Sequence, residues 1–216
     1  MKNMPRYAVL TGDLVRSSSL IPSELEESRA QLIRGVESLR GWSKDLVVGQ
    51  AEFFRGDSWQ LLLADPSFAL RTALFLRATM IMGNKTDTRI GIGIGSASSI
   101  NPERISLSTG DAFEASGIAL DAMSPKVKLT LRIASSSPSK PSLLSVVTEL
   151  CDALIGECTA RQSEILRWVL SPNRPTHKEI ANQLTPPVTQ QVVSRSLKSA
   201  HWNALQIAVL GFESSL

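Results

Sequence analysis

FFRGDSWQLLL, residues 53–63, is the stretch on which the fold turns. Phe53 and Phe54 close one apolar run, Trp59 to Leu63 form another, and Arg55-Gly56-Asp57-Ser58 lie between them. Two runs rich in strand-forming residues, split by a Gly-Asp pair, predict a hairpin with strands over 45–54 and 58–63. The turn carries one carboxylate, Asp57. Asp is a favoured turn residue. A carboxylate beside a strand end is also a ligand type for a hard cation such as magnesium. Both readings stand at this point.

Outward from the hairpin, the pattern alternates strands and helices. YAVLTGDL, residues 7–14, reads as a strand that turns at Gly12-Asp13. Residues 22–40 follow helical spacing, with Leu25, Leu32, Val36 and Leu39 on one face and Ser23 with Glu26 as a capping box. A second helix is predicted over 66–82, with Asp65 at its N-cap. TRIGIGIG, residues 88–95, alternates with a period of two, and its glycine face predicts a close neighbour. A third helix over 110–123 and a strand over 126–133 complete a β-α-β-β-α-β-α-β order. Two crossovers flanking a hairpin predict an α/β (α+β) ferredoxin-like palm over 1–134, an antiparallel-rich sheet with helices on one face.

Composition then shifts. ASSSPSKPS, residues 134–142, holds five serines and two prolines, and residues 135–142 are predicted to be a linker. Beyond it only helices are predicted, over 143–155, 160–170, 177–184, 188–199 and 202–212. An α/β segment followed by an all-α segment predicts two domains, the second over 143–216.

The whole chain of 216 residues, 43% hydrophobic and 20% charged, has the composition of a globular protein rather than a disordered or fibrous one. No apolar run approaches the ~20 residues that span a bilayer. The longest, residues 68–82, is interrupted by Arg71 and Arg77. The first apolar patch stops at Thr11-Gly12-Asp13, too short for a signal-peptide core. The expectation is a cytoplasmic chain with no membrane partner. Cys151 and Cys158 stand seven apart, two turns along one helix face, a spacing unsuited to a disulfide. No CxxC occurs and His177 and His201 are remote in sequence, so buried free thiols are expected rather than a zinc site.

Residues 174–200, RPTHKEIANQLTPPVTQQVVSRSLKSA, carry a second pattern. Thr176 and Glu179 form a capping box, and Ile180, Ala181 and Leu184 share an inner face. Pro186 and Pro187 mark a turn, and a further helix follows with Val192, Val193 and Leu197 directed inward. This is the helix-turn-helix pattern, whose second helix enters a major groove. Gln190, Gln191, Ser194, Arg195 and Lys198 are expected outward, where amides and arginine read bases and Ser or Lys hold phosphate. Residues 160–216 hold six Lys or Arg against three acids, so the net charge of +3 sits in this tail. Duplex DNA is the partner this predicts, with a helical interaction module as the alternative. The helix over 202–212 is a candidate dimer contact.

The N-terminal pieces together resemble the catalytic domain of class III nucleotide cyclases. The motifs are LTGDLVRSS with Asp13, FFRGDSW with Asp57, RIGIGIG (Arg89 to Gly95) and GDAFEASGIALD (Gly110 to Asp121), covering residues 6–134. The resemblance implies that Asp13 and Asp57 bind magnesium or manganese, which in that family holds a nucleotide triphosphate. Arg16 and Arg55, near these aspartates in sequence, are the candidate phosphate contacts. Other family groups are replaced. Glu114 and Ile118 stand where the family's helix has Asn and Arg, Phe53 where it has Lys, and Leu107 where it has a base-reading acid. A carboxylate repels phosphate, and Ile118 supplies no cation for developing charge. The combination of such a palm with a C-terminal helix-turn-helix resembles the SatD-like family of small bacterial proteins. Three functions compete on this basis. The first is a DNA-binding regulator, expected to be a homodimer, with a catalytically degenerate palm that senses a metal-bound nucleotide. The second is an active cyclase or related phosphoryl-transfer enzyme with a DNA-binding appendage. The third is a structural palm that dimerises a helical interaction module.

Overall fold

A computed structural model of the chain describes residues 5–54, 56–134 and 141–216. The hairpin forms one side of a five-stranded sheet. β1 (Tyr7–Leu14) lies in the middle, and the order is β2 (Val47–Phe54), β3 (Ser58–Leu63), β1, β4 (Thr88–Gly95), β5 (Leu129–Ile133). All pairings are antiparallel except β4 with β5, so the sheet is mixed. The register sets Asp13 opposite Ser58 on one side and opposite Arg89 on the other.

α1 (Pro22–Leu39) and α2 (Ala69–Met82) cover one face, where Leu10, Ile90, Ile92 and Ile94 join Leu32 and Leu74 in the main core. α3 (Asp111–Asp121) covers the other. The expectation of helices on one face only is therefore corrected, and the cause lies in the RIGIGIG strand. Its isoleucines and its glycines point to opposite faces, and each face is buried. A Cβ on Gly91 would stand 2.5 Å from the Ser116 carbonyl oxygen and 2.6 Å from the Leu120 nitrogen, so only glycine lets α3 lie this close. Val9, Leu62, Ile105, Ala112 and Phe113 form a smaller cluster on that side.

Gly12 has a related role. A Cβ there would stand 2.6 Å from the ring of Trp59, a fully buried side chain. Trp59 Nε1 donates to Thr88 Oγ1 at 2.9 Å, and that hydroxyl donates to the Asp13 carbonyl at 2.8 Å. One short chain of bonds thus fixes the end of β1. Two terminus details also emerge. Asp65 accepts from the Ser67 amide at 2.9 Å and caps the turn that opens α2, as its position predicts. The cap of α1 falls two residues earlier than Ser23 with Glu26, because Pro22 takes the first helical position and Glu24 reaches back to the Ile21 amide at 3.4 Å.

Five more helices follow: α4 (Leu143–Gly156), α5 (Ala160–Leu170), α6 (His177–Gln183), α7 (Gln190–Ser199) and α8 (Trp202–Glu213). They do not pack as a body apart. One hydrophobic cluster runs from the sheet through α2 into Ile155, Leu166, Ile180, Leu197 and Phe212. α2 is buried on every side from Ala69 to Met80, the signature of a helix enclosed by neighbours. Its two arginines are paired across that junction. Arg71 donates to both carboxylate oxygens of Glu213, at 2.5 and 3.0 Å, and to the Leu170 carbonyl at 3.0 Å. Arg77, with no solvent exposure, bridges Asp87 at 2.6 Å and Asp152 at 2.5 Å. Asp152 also accepts from the Lys128 amide at 3.0 Å. The compositional boundary is thus not a packing boundary. Residues 135–140 of the expected linker lie outside the described residues.

Cys151 and Cys158 are both buried and free, Cys151 inside α4 and Cys158 just beyond its end. Burial pushes their thiols up to about 12 and about 11. No helix among the described residues is long and apolar enough to cross a membrane.

Candidate functional site

Two regions hold the residues singled out by the sequence. The first is the end of the sheet where β1 stops and the hairpin turns. Asp57 arrives there because the Leu14 amide donates to the Asp57 carbonyl at 3.3 Å. Gly56, at φ 88°, supplies the left-handed backbone that the tight turn requires. The two carboxylates take different partners. Asp13 is held on both oxygens by Arg89, its cross-strand neighbour, with Nε to Oδ1 at 2.8 Å and Nη2 to Oδ2. Asp57 Oδ2 accepts from Ser17 Oγ at 2.5 Å.

Arg89 binds this corner electrostatically. Its guanidinium is held above its ordinary pKa, first by the hydrogen bonds to Asp13 and then by the charges of Asp13, Asp57 and Asp121, against an opposing effect of burial. A third carboxylate, Asp121 at the end of α3, therefore acts on the same arginine. Arg29 of α1 adds a fourth element, donating to the Gly56 carbonyl and lying 5.8 Å from the ring centre of Phe53. Arg16 is exposed, at φ 56°, beside this corner in sequence. Arg55 lies outside the described residues.

A divalent cation at this corner would compete with Arg89 for the Asp13 carboxylate. Both Asp13 oxygens are engaged by that guanidinium. The positive charge that an ion would bring is already supplied by Arg89.

Glu114 and Ile118 sit elsewhere. Asp121 lies near Arg89, whereas Glu114 is seven residues earlier, about 10 Å along α3 at 1.5 Å per residue. Glu114 and Ile118 line an open cleft of about 460 Å³ with Arg6, Asp111 and Arg132, beside Ile94 and Gly95 at the far end of β4. Leu107 is also exposed.

The second region is α5–α6–α7. The expected capping box forms at α6: Glu179 accepts from the Thr176 amide at 2.7 Å and Thr176 Oγ1 accepts from the Glu179 amide at 3.3 Å. These contacts hold the Glu179 carboxyl below its usual range. Thr189 caps α7 by accepting from the Val192 amide at 3.4 Å. The intervening turn is pinned by the Val188 amide donating to Ala181 at 3.1 Å, and by Arg161 reaching the Pro186 carbonyl at 3.0 Å. Ile180, Ala181, Leu184, Val193 and Leu197 form the inner surface.

Gln190, Gln191, Ser194, Arg195 and Lys198 are all exposed on α7. Val192 is the exception to the expected pattern, 40% exposed rather than inward. The inner seam of α7 runs through Val193, Leu197 and Ala200, at four- and three-residue steps, which turns Val192 toward the polar face. The charge of this tail is also sorted by burial. Arg167 is partly buried over the Phe75 ring, Arg161 is paired with Glu164 and Glu213 is turned to Arg71, leaving Arg174, Lys178, Arg195 and Lys198 exposed.

Sequence reasoning did not assign a role to Arg89, Asp121, Ser17 or Arg29. Arg89 had a usable signal, since its odd position in RIGIGIG places it on the face of the glycines and of Asp13. Arg29 had none, because only the fold brings α1 against the hairpin. No protein-family model matches the chain, and no curated protein matches it.

Proposed function

We propose that the chain is a DNA-binding regulator in which α6 and α7 act as a helix-turn-helix and α7 is the helix that enters the major groove. The observation that carries this reading is the outward face of α7, where Gln190, Gln191, Ser194, Arg195 and Lys198 are exposed together above a buried apolar seam. Gln matches the paired edge of adenine and Arg that of guanine. Val192, exposed among them, offers the apolar surface that suits a thymine methyl.

The sheet is read as a ferredoxin-like palm. The order β2-β3-β1-β4 with antiparallel pairing supports that reading, and β5 extends it by a crossover through α3. The palm is a sensor rather than a cyclase in this proposal, because Glu114 and Ile118 bring neither the amide nor the cation that phosphoryl transfer uses. Its ligand is a nucleotide phosphate taken up near Asp13 and Asp57, with Arg16 and Arg55 as contacts. A magnesium or manganese ion enters this corner only when Arg89 releases Asp13.

Selection from a random duplex pool, followed by anisotropy titration of the full chain over a salt series, tests the DNA reading. The expected result is a binding constant whose logarithm falls linearly with the logarithm of salt concentration. Absence of salt-dependent affinity for any duplex ends the reading and leaves the tail as an interaction module.

A further inference from the structure

We propose that the outward faces of α4 and α8 form one surface through which two copies of this chain associate. Apolar side chains are normally sparse and scattered on a monomer, so a set of large ones aligned on neighbouring helices calls for a partner. α4 presents Leu143 at 78%, Val146 at 43% and Leu150 at 62% exposure. α8, packed beside α4, presents Ile207 at 64% and Leu210 at 42%.

The spacing identifies the kind of partner. Leu143, Val146, Leu150 and Ala153 are separated by three, four and three residues, the step of a helix seam that receives another helix. Neither helix needs this face for its own fold. α4 is anchored through Thr148, Cys151, Asp152 and Ile155, and α8 through Leu205, Val209 and Phe212.

Charge is compatible with a second copy as the occupant. A twofold interface sets each patch against itself, so a face bearing net charge would repel its mate. The single charged residue of α8, Glu213, is turned inward to Arg71, and Asp152 of α4 is turned inward to Arg77. Glu149 is left at the border, beside the groove shared with α3. The face is uncharged and self-compatible. The choice of a second copy over another helical protein also rests on the DNA-binding reading, since paired recognition helices meet two half-sites about one duplex turn apart.

Association is measured without DNA, so its failure is separate from failure of DNA binding. Sedimentation velocity of the full chain at tens of micromolar should show a dimer. Leu150→Glu and Ile207→Glu each alter an exposed side chain, so circular dichroism and melting should stay unchanged while self-association weakens roughly a hundredfold. An equimolar mixture of Leu150→Glu and Leu150→Lys should re-form dimers that neither variant forms alone. A monomeric wild type overturns the proposal. So does a dimer that both glutamate variants leave intact, or a charge-paired mixture that stays monomeric. If the dimer forms and no duplex binds, the surface stands and the regulator reading falls.

Discussion

Arg89 grips both carboxylate oxygens of Asp13 from the directly opposite position of the neighbouring strand. A two-point contact of this kind orients the carboxylate as well as neutralising it. Arg89→Gln should leave Asp13 and Asp57 without that cation. Manganese affinity, followed by electron paramagnetic resonance of the free ion, should then rise at least about tenfold, roughly 1.4 kcal/mol. The loss of fold stability should be only about 1 kcal/mol, because the pair is partly solvated. Equal manganese binding by wild type and variant would show that Arg89 is not the competitor.

Gly12→Ala should destabilise the fold by about 1–3 kcal/mol, since the new methyl meets the buried ring of Trp59 and the core must shift. Urea denaturation followed by tryptophan fluorescence measures this. A midpoint unchanged from wild type would contradict the packing at the end of β1.

Arg77→Ala removes the one guanidinium that serves both Asp87 and Asp152. Among the described residues, the two carboxylates then share a buried corner with only Lys128, 3.8 Å from Asp87, for compensation. The expected cost is about 3–5 kcal/mol. Arg77→Met paired with Asp152→Leu should recover much of it, because an apolar pair needs no counter-ion. A calorimetric comparison of the single and double variants decides the point.

The buried thiols give a pH dependence. Their folded-state values, about 12 for Cys151 and about 11 for Cys158, lie above the ordinary value of 9.0. The folded state therefore retains protons that the unfolded state has already lost. Their contribution is complete below pH 9.0 and declines as pH rises toward about 12. The limiting slope is about 1.4 kcal/mol per pH unit for each thiol. Urea midpoints of Cys151→Ala and Cys158→Ala variants should flatten over this range relative to wild type.

Arg195→Ala and Lys198→Ala should fail differently on DNA. Loss of a base-reading arginine should cost about 1–3 kcal/mol and relax preference at one base pair. Loss of a phosphate contact should weaken all sequences alike and lower the salt slope by about one. Identical effects of the two substitutions would remove the assigned division of roles.

Periodicity in the sequence located, to within a few residues, the five strands and the eight α-helices found among the described residues. That is what alternation and helical spacing encode, because each element buries one face. What it left out are relations between elements. Arg71 and Arg77 read from sequence as interruptions of an apolar run, yet both are paired inside the core. A paired charge looks the same in sequence as a solvated one. The glycine face of β4 announced a close neighbour but not that the neighbour lies opposite α1 and α2. Val192 was misplaced by one helical step, for α7 is short and two valines stand side by side. At the hairpin, Asp13 and Asp57 were visible as a pair, whereas the arginine between strand partners was visible only as part of a motif.

The junction along α2 has a consequence for how such a chain can be rearranged. A C-terminal module joined by a serine- and proline-rich segment looks portable, as if recombination could exchange it. Here excision after Ser142 would strand Arg71 without Glu213 and Arg77 without Asp152, and would strip the outer wall from the helix between them. Each half carries part of the other's interior. The sheet and the helices behind it therefore share one interior, and a replacement tail would have to bring two acids to the same two places.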